Sequence, residues 1–475
     1  MDFSNFLYMQ QEMSLIAIFV FLLLYDIFCS EGGKRWFQSV GCLLFAAHTI
    51  YGLFCSVPMG EAFGGLYISS EMTVVMKNIL NIAVLIVFMQ SSAWLQRDDT
   101  VHKRGEFFTI TLVTLLGMFL MISAGNFMML YIGMETASLP LACLAAFNKY
   151  QEKSAEAGMK YILMSAFSSA IMLFGLSFLY GALGTMYFSD MNALMQSSPM
   201  VIFGFVLFFV GLAFKISLVP FHLWTADVYE GSPTPVTAYL SVVSKGAAAF
   251  ALIFAIYHVF SSLKDIWHPI LWVLSVVTIT VGNLFAIRQK DIKRFFAFSS
   301  ISQAGYILLG IIAGTAQGMT SVVYYVLVYV FSNLAVFGVI SAIEDQSGKV
   351  KISDYNGLYK SNPRLSFVMM LAVFSLGGIP PLAGFVSKFF IFAAAAAQGE
   401  YLLVFIALLN TVVSLFYYLL IIKAIFINEP EADAISPIKV EIFNKSSLVI
   451  CSMGILLVGL ASCIYEYIGK ISFGM

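Results

Sequence analysis

Three lysines lie deep inside apolar stretches of this sequence, where a charged side chain is costly. Lys215, Lys245 and Lys388 are each too far from the end of an apolar stretch for the ammonium group to reach the membrane surface easily. An ionisable group at membrane depth costs roughly 2.5 to 3.5 kcal/mol on insertion scales, so it indicates a function by default. Because burial disfavours the ammonium form, such lysines can release and recapture a proton near neutral pH. We therefore predict a proton relay, with a purely structural ion pair as the alternative.

Glu135 lies inside a further apolar stretch and is a candidate partner for these lysines. A lone buried carboxylate would be driven neutral, whereas a nearby lysine would hold both groups charged. We therefore expect Glu135 to pair with Lys215. The alternative is a protonated Glu135 that is hydrogen-bonded to a neighbouring helix.

Two further side chains are candidates for the same pathway. Lys160 lies near the end of an apolar stretch, where it could equally be an ordinary interfacial anchor. His222 could extend a proton path because histidine titrates near physiological pH. A polar contact at the end of a helix would explain His222 equally well.

Prolines interrupt two of the helices that carry these lysines. Pro220 follows Lys215 closely, and Pro380 and Pro381 precede Lys388. A proline removes a backbone hydrogen bond, which is tolerated at membrane depth only where protein or water satisfies the freed groups. Paired interrupted segments are the strongest sequence sign of a transport site.

The composition indicates a membrane protein throughout. Hydrophobic residues make up 60% of the 475 residues, charged residues only 11%, and the mean hydropathy is +0.91, which excludes a soluble globular domain. The net charge of -1 gives no reason to expect nucleic acid. None of the six cysteines forms a CxxC pair, and no nucleotide-binding loop occurs, so we expect no metal and no cofactor on this chain. The first apolar stretch, 14–29, is expected to be a retained helix.

The two interrupted segments also predict the domain organisation. Apolar stretches of about 20 residues give about fourteen spans, and the interrupted spans 7 and 12 are five apart. The helix of span 7 is interrupted after its lysine, and the helix of span 12 is interrupted before its lysine. Two inverted repeats, spans 4–8 and 9–13, would produce this arrangement. We predict an all-α polytopic protein with one membrane domain, 1–475. Its parts are N-terminal helices (1–100), a first repeat (101–262), a second repeat (263–428) and a C-terminal helix (429–475).

The basic residues predict the orientation in the membrane. Most of the 25 lysines and arginines fall in loops on one side, whereas Lys77, Lys264 and Lys470 fall on the other. By the positive-inside rule both termini lie on the non-cytoplasmic side. The even number of spans agrees with this orientation.

Three longer motifs carry a family resemblance. They read FKISLVPFHLWTADVYEGSPTPVTAYLSVVSK, GNLFAIRQKDIKRFFAFSSISQAGY and FSLGGIPPLAGFVSKFF. Together they resemble the signature regions of the antiporter-like subunits of respiratory complex I, the bacterial NADH-quinone oxidoreductase. The resemblance covers nearly the whole chain, most clearly spans 4 to 13.

The resemblance implies proton translocation in the bacterial cytoplasmic (inner) membrane. NADH, FMN, iron–sulfur clusters and quinone would act in other subunits, so this chain would meet quinone only indirectly. Its partners would be antiporter-like and small helical membrane subunits and the lipid bilayer. The resemblance assigns relay roles to Glu135, Lys215, Lys245 and Lys388, and it matches Lys160 to a helix 6 lysine seen in many members.

Two positions depart from the family pattern. Gln303 stands where the family often has histidine, and a glutamine cannot carry a proton as a titrating group. Leu420 stands where a basic residue is often found, and only Lys423 is close by. A relay step at Gln303 must therefore use water or lie elsewhere, and Lys423 is the basic residue that remains near Leu420 for an exit role in helix 13.

Two other functions fit the same pattern. One is a subunit of a multi-subunit Na+/H+ antiporter, although few buried carboxylates besides Glu135 are available for a dehydrated sodium site. The other is a structural scaffold subunit of a membrane complex. Sodium dependence would identify the first, and activity loss in proportion to assembly loss would identify the second.

Overall fold

The computed structural model describes residues 3–29, 31–430 and 435–473, and most of this chain is helical. Thirteen helices in these ranges are long and apolar enough to cross a membrane. In chain order they are α1 (Ser4–Phe28), α2 (Phe37–Phe54), α3 (Glu71–Gln90), α4 (Val101–Ile122), α5 (Phe127–Ala145), α6 (Glu152–Leu183), α7a (Pro199–Ile216), α8 (Thr234–Val259), α9 (Ser261–Ala286), α10 (Ile292–Ile312), α11 (Ala316–Ser347), α13 (Tyr401–Phe426) and α14 (Ile442–Leu460). The remaining larger helices are α7b (Leu223–Gly231), α12a (Pro363–Gly377), α12b (Ala383–Ala397) and α15 (Ser462–Phe473).

The helix count confirms the expected fold class. The halves α12a and α12b have 15 residues each, so neither reaches the ~20 residues that one crossing needs. Together they supply a fourteenth crossing beside the thirteen long helices of the described chain. The protein is an all-α polytopic membrane protein, as predicted. Short connecting helices are Glu31–Lys34, Phe188–Leu194 and Leu358–Ser361.

Each expected proline lies in a helix break. Pro220 lies between α7a and α7b, and Pro380 and Pro381 lie between α12a and α12b. The second break begins at Gly378, whose φ of 83° is a left-handed conformation that glycine adopts without steric cost. At Gly384 an added Cβ would lie 1.7 Å from a carbonyl oxygen of α12a, so only glycine lets the two halves approach this closely.

Close helix crossings position the acidic and basic candidates. A Cβ at Gly117 of α4 would lie 2.4 Å from a backbone nitrogen of α5. A Cβ at Gly175 of α6 would lie 2.5 Å from a backbone nitrogen of α7a. Small residues at such crossings let membrane helices pack closely by van der Waals contact. The helices of Glu135 and Lys215 are therefore each fixed against a glycine-bearing neighbour.

The chain divides into two compact units. The first holds α1 to α7a, apart from the end of α3, together with Val243–His268, which contains most of α8. The second holds Met89–Trp94, Ser217–Val242 and the chain from Pro269 onward. Within the first unit, the strands β1 (Gly60–Ala62) and β2 (Tyr67–Ser69) form an antiparallel hairpin in which Glu61 pairs with Ile68. The division into repeats and flanking helices remains a prediction.

Candidate functional site

Lys215 is buried near the end of α7a and has a neutral hydrogen-bond partner. Its side chain is 4% exposed. The Nζ atom donates to Ser165 Oγ on α6 at 2.8 Å and lies 5.4 Å from the centre of the Tyr161 ring. A hydroxyl and an aromatic face thus contact the ammonium group in place of bulk water.

Glu135 lies on α5 and makes no direct contact with Lys215. Its side chain is half-buried, and its Oε1 atom is buried with no hydrogen-bond partner among the described residues. The two residues interact electrostatically, but Lys215 donates to Ser165 and not to the carboxylate. The expected contact pair is therefore replaced by a coupling through space, because α6 packs against both α5 and α7a and brings Ser165 to the lysine.

Lys245 occupies the same unit as Lys215. It is 4% exposed and lies on α8 directly after a π-helical turn, Leu240–Ser244. Its part of α8 packs against α4 and α7a. Single π-helical turns inside α-helices occur frequently at functional sites. The irregular turn thus marks this part of α8 as a candidate site on grounds independent of the lysine.

Lys388 lies in the second unit and uses the helix break directly. It is 4% exposed, and its Nζ atom donates to the carbonyl oxygen of Leu376 at 2.8 Å and lies 3.5 Å from that of Gly377. It also lies 4.9 Å from the centre of the Tyr306 ring. The last carbonyl groups of a helix lack intrahelical partners, and the negative end of the helix dipole favours a cation. The end of α12a therefore stabilises the ammonium group of α12b.

Gln303 joins Lys388 to a hydrogen-bonded chain of tyrosines. Its Nε2 atom donates to Tyr418 Oη at 3.1 Å and, more weakly, to the carbonyl oxygen of Leu376 at 3.4 Å. The hydroxyl of Tyr325 donates to Gln303 Oε1, and Tyr418 Oη lies 2.5 Å from Ser299 Oγ. Since Lys388 and Gln303 share the same carbonyl acceptor, polar groups continue from the lysine to α10 and α13.

A small cavity lies beside this chain of hydrogen bonds. The volume that the centre of a water molecule can occupy is about 10 Å³, which is room for about one water. Its polar lining is Lys388, Gln303, Tyr325, Tyr329, Ser332, Ser375 and Ser387. The sequence motifs did not point to these tyrosines. The adjacent Tyr417 and Tyr418 in an apolar helix were the available signal.

The remaining candidates occupy more exposed positions. Lys160 forms a surface ion pair with Glu156 at 2.6 Å, one helical turn away on α6. This position fits the interfacial alternative. His222 is half-buried in the first break, directly before α7b. Leu420 and Lys423 both lie on the exposed surface of α13.

An ion-pair network holds α7b in the second unit. Arg294 of α10 contacts Asp227 Oδ1 at 2.6 Å and Glu230 Oε2 at 3.0 Å. The preceding residue, Lys293, contacts Glu344 Oε1 at 3.2 Å, and the Thr234 hydroxyl also donates to Glu344. Apart from the buried Lys293, these groups are partly exposed. Partly exposed pairs contribute little to stability singly, but several of them sharing charges fix geometry. The network therefore positions the short helix that follows the first break.

A buried charge cluster in the first unit was also missed. Lys77 Nζ donates to Glu12 Oε1 at 2.6 Å and to Tyr67 Oη at 2.8 Å, and Tyr67 donates to the same Glu12 oxygen at 2.9 Å. All three side chains are at most 2% exposed. Burial, followed by the Glu12 charge, raises the pKa of the Tyr67 phenol, so the phenol remains a donor. Lys77 was interpreted only as a basic residue on the non-cytoplasmic side, since its partners are distant in sequence.

Comparisons with known proteins agree with the resemblance of the motifs. Residues 124–414 match the family described as NADH:quinone oxidoreductase/Mrp antiporter, TM. The NADH-quinone oxidoreductase subunit N of Azobacteroides pseudotrichonymphae is 64% identical, over 100% of this chain and 99% of its own. The protein of the same name from Phocaeicola vulgatus is 52% identical over 98% of both chains. A chain of respiratory complex I from Thermus thermophilus has 30% identity and a TM-score of 0.79, over 95% of this chain and 97% of its own. The chain therefore belongs to the family of NADH:quinone oxidoreductase and Mrp antiporter transmembrane subunits.

Proposed function

We propose that the chain is a proton-translocating membrane subunit of a bacterial NADH-quinone oxidoreductase, working as part of that complex's translocase activity. The observation that carries this proposal is the set of three lysines, each 4% exposed, one of them held by carbonyl groups at a helix break. In this proposal the redox groups belong to other subunits, and this chain moves protons only. It lies in the cytoplasmic membrane with both termini on the non-cytoplasmic side.

The first unit would load and unload Lys215 by electrostatics. Two unit charges about 4 Å apart interact by about 4 kcal/mol at an effective dielectric constant of about 20, and the energy falls as the distance grows. A charge change that reaches Glu135 from a neighbouring subunit alters the stability of the Lys215 ammonium group. Because the direct partner of Lys215 is the neutral Ser165 hydroxyl, no carboxylate contact must be broken before the proton leaves. Lys245, in the same unit, is the acceptor we propose.

The second unit would exchange protons through Lys388. Its ammonium group is hydrogen-bonded to a carbonyl oxygen that also accepts from Gln303. Gln303 cannot titrate, so its role is to hold the hydroxyl groups of Tyr418 and Tyr325 in line. A water in the adjacent cavity would complete the path from Lys388 to these hydroxyl groups.

Sodium dependence tests this function against a Na+/H+ antiporter, since the family description also names an antiporter. The experiment measures NADH-driven acidification of inside-out membrane vesicles that contain the assembled complex, with sodium or with choline as the cation. Proton translocation by this chain requires equal acidification in both buffers. A strict sodium requirement would assign the antiporter function instead. Assembly on native gels identifies a scaffold, since a scaffold variant would lose activity only as it loses assembly.

Gln303→Leu tests the second unit. We expect a several-fold lower rate of proton translocation in an assembled complex, because leucine leaves the Tyr325 and Tyr418 hydroxyls without their amide partner. Losing such a partner costs roughly 1–3 kcal/mol for a buried group. Gln303→His should keep most of the rate, since histidine also donates and accepts.

Gln90→Leu is the matched control for this variant. Gln90 is 1% exposed and Gln303 is 2% exposed, but the amide of Gln90 donates to the carbonyl oxygen of Leu334 and does not contact Lys388. The rate of translocation per assembled complex should be unchanged in the control. A wild-type rate for Gln303→Leu would contradict the proposed positioning role.

A further inference from the structure

An apolar groove runs between α12a and α14 in the second unit. Its volume is about 820 Å³. Phe367 of α12a and Val449, Met453 and Leu456 of α14 line it, and these side chains are 52%, 56%, 48% and 37% exposed. Exposed apolar side chains are ordinary on a lipid-facing helix, and a groove gathers these four into one concave surface.

One end of the groove is basic. Arg364, Lys439 and Lys445 line it there, and their side chains form no ion pair with the part of the chain that the structure describes. Glu441, one turn before Lys445, instead accepts hydrogen bonds from the Ser92 hydroxyl and from the backbone amide groups of Phe443 and Asn444. None of the described residues that line the groove is acidic.

Arg364 adds geometric specificity to this charge. It is the second residue of α12a, so the positive end of that helix also faces the basic end of the groove. A guanidinium group binds two oxygens of one phosphate in parallel, which a lone ammonium group cannot do. The basic end therefore suits an anionic group with two free oxygens, such as a phosphate.

The length of the groove decides between a lipid and a protein helix. From Lys445 to Leu456 the lining rises eleven residue steps along α14, or about 16 Å at 1.5 Å per step. The hydrocarbon core of a bilayer is about 30 Å thick, so the groove has the depth of one leaflet. A transmembrane helix from another subunit that packed parallel to α14 would contact it along the full thickness.

We propose that this groove binds an anionic phospholipid, with the phosphate at Arg364, Lys439 and Lys445 and an acyl chain along α12a and α14. The basic end supplies charge complementarity, and the apolar walls supply the length of one acyl chain. This site is separate from the buried lysines. It therefore does not depend on the proposed proton translocation.

Photo-crosslinking tests the site. The probe is a phosphatidylglycerol with a diazirine on its acyl chain, added at a low fraction to phosphatidylcholine nanodiscs that hold the full-length chain, with labelled peptides mapped by mass spectrometry. We expect labelling of the segments around Phe367 and Met453. Labelling of the triple variant R364Q/K439Q/K445Q should be at least ten-fold lower than that of the wild type. One interfacial cation contributes about five-fold in lipid affinity, or about 1 kcal/mol.

Two controls make the result decisive. R288Q/K290Q/K360Q removes the same number of exposed cations outside the groove and should label as the wild type does. Val449→Trp should reduce labelling by filling the groove without changing any charge. Equal labelling by a matched phosphatidylcholine probe, or unchanged labelling of R364Q/K439Q/K445Q, would overturn the proposal. Labelling that is lost when the chain is assembled in its native complex would show a subunit interface and would also overturn it.

Discussion

Lys215→Ala is expected to lower both proton translocation and the coupled quinone reduction at least ~10-fold, since a positioned proton-transfer group typically contributes a factor of 10²–10⁴. Alanine has no group that can carry the proton, and the charge of Glu135 then acts on no partner at this position. Native gels together with NADH-driven acidification and quinone reduction in the same membranes measure the effect. Assembly should persist, because the Ser165 hydroxyl can turn to the backbone of its own helix once the lysine is removed.

Two further variants separate a relay role from general damage. Lys264→Ala removes an exposed lysine and should leave both activities unchanged. Ser165→Ala keeps the proton carrier but removes its hydrogen-bond acceptor, so a smaller loss is expected than for Lys215→Ala. If the assembled Lys215→Ala complex pumps and reduces quinone at the normal rate, the lysine is structural and the proton path must lie elsewhere.

The local features of the fold could be predicted from the sequence because their causes are local. Apolar length determines whether a segment can cross a membrane, and this gave about fourteen spans. Proline removes a backbone donor wherever it occurs, which predicted the interruptions near Lys215 and Lys388. The β-hairpin before α3 was not predicted, since its strands have three residues each and show no alternating pattern.

The contacts of the buried lysines could not be predicted in the same way. Lys215 and Ser165 are 50 residues apart, and their contact depends on the crossing of α6 with α7a. The acceptors of Lys388 are backbone carbonyls, which carry no sequence signal beyond the break itself. The sequence singles out Gln303 as a departure from the family pattern, but its tyrosine partners can be distinguished from packing residues only in three dimensions.

The largest expected effect on stability comes from breaking the buried cluster of Glu12, Tyr67 and Lys77. Lys77→Met leaves the Glu12 carboxylate 1% exposed and without its cation, which costs about 3–5 kcal/mol for a buried pair. Glu12→Gln should cost a similar amount, because the ammonium group then lacks its counter-charge. The double variant E12Q/K77M removes both charges and should recover most of the lost stability. The measurement is the thermal midpoint of the detergent-solubilised chain by fluorescence-detected size exclusion.

Lys470→Met is the matched control, since it makes the same change at an exposed lysine. If Lys77→Met lowers the thermal midpoint no more than this control, the cluster is not structural. The comparison matters because Lys77 and Lys215 are nearly equally buried, at 2% and 4% exposed, and differ in their partners. Lys77 Nζ lies 2.6 Å from a carboxylate oxygen, whereas Lys215 Nζ contacts a hydroxyl at 2.8 Å and an aromatic ring and is coupled to a carboxylate through space. Burial alone therefore does not distinguish the two lysines, and the one we propose as a proton carrier, Lys215, has no carboxylate in contact.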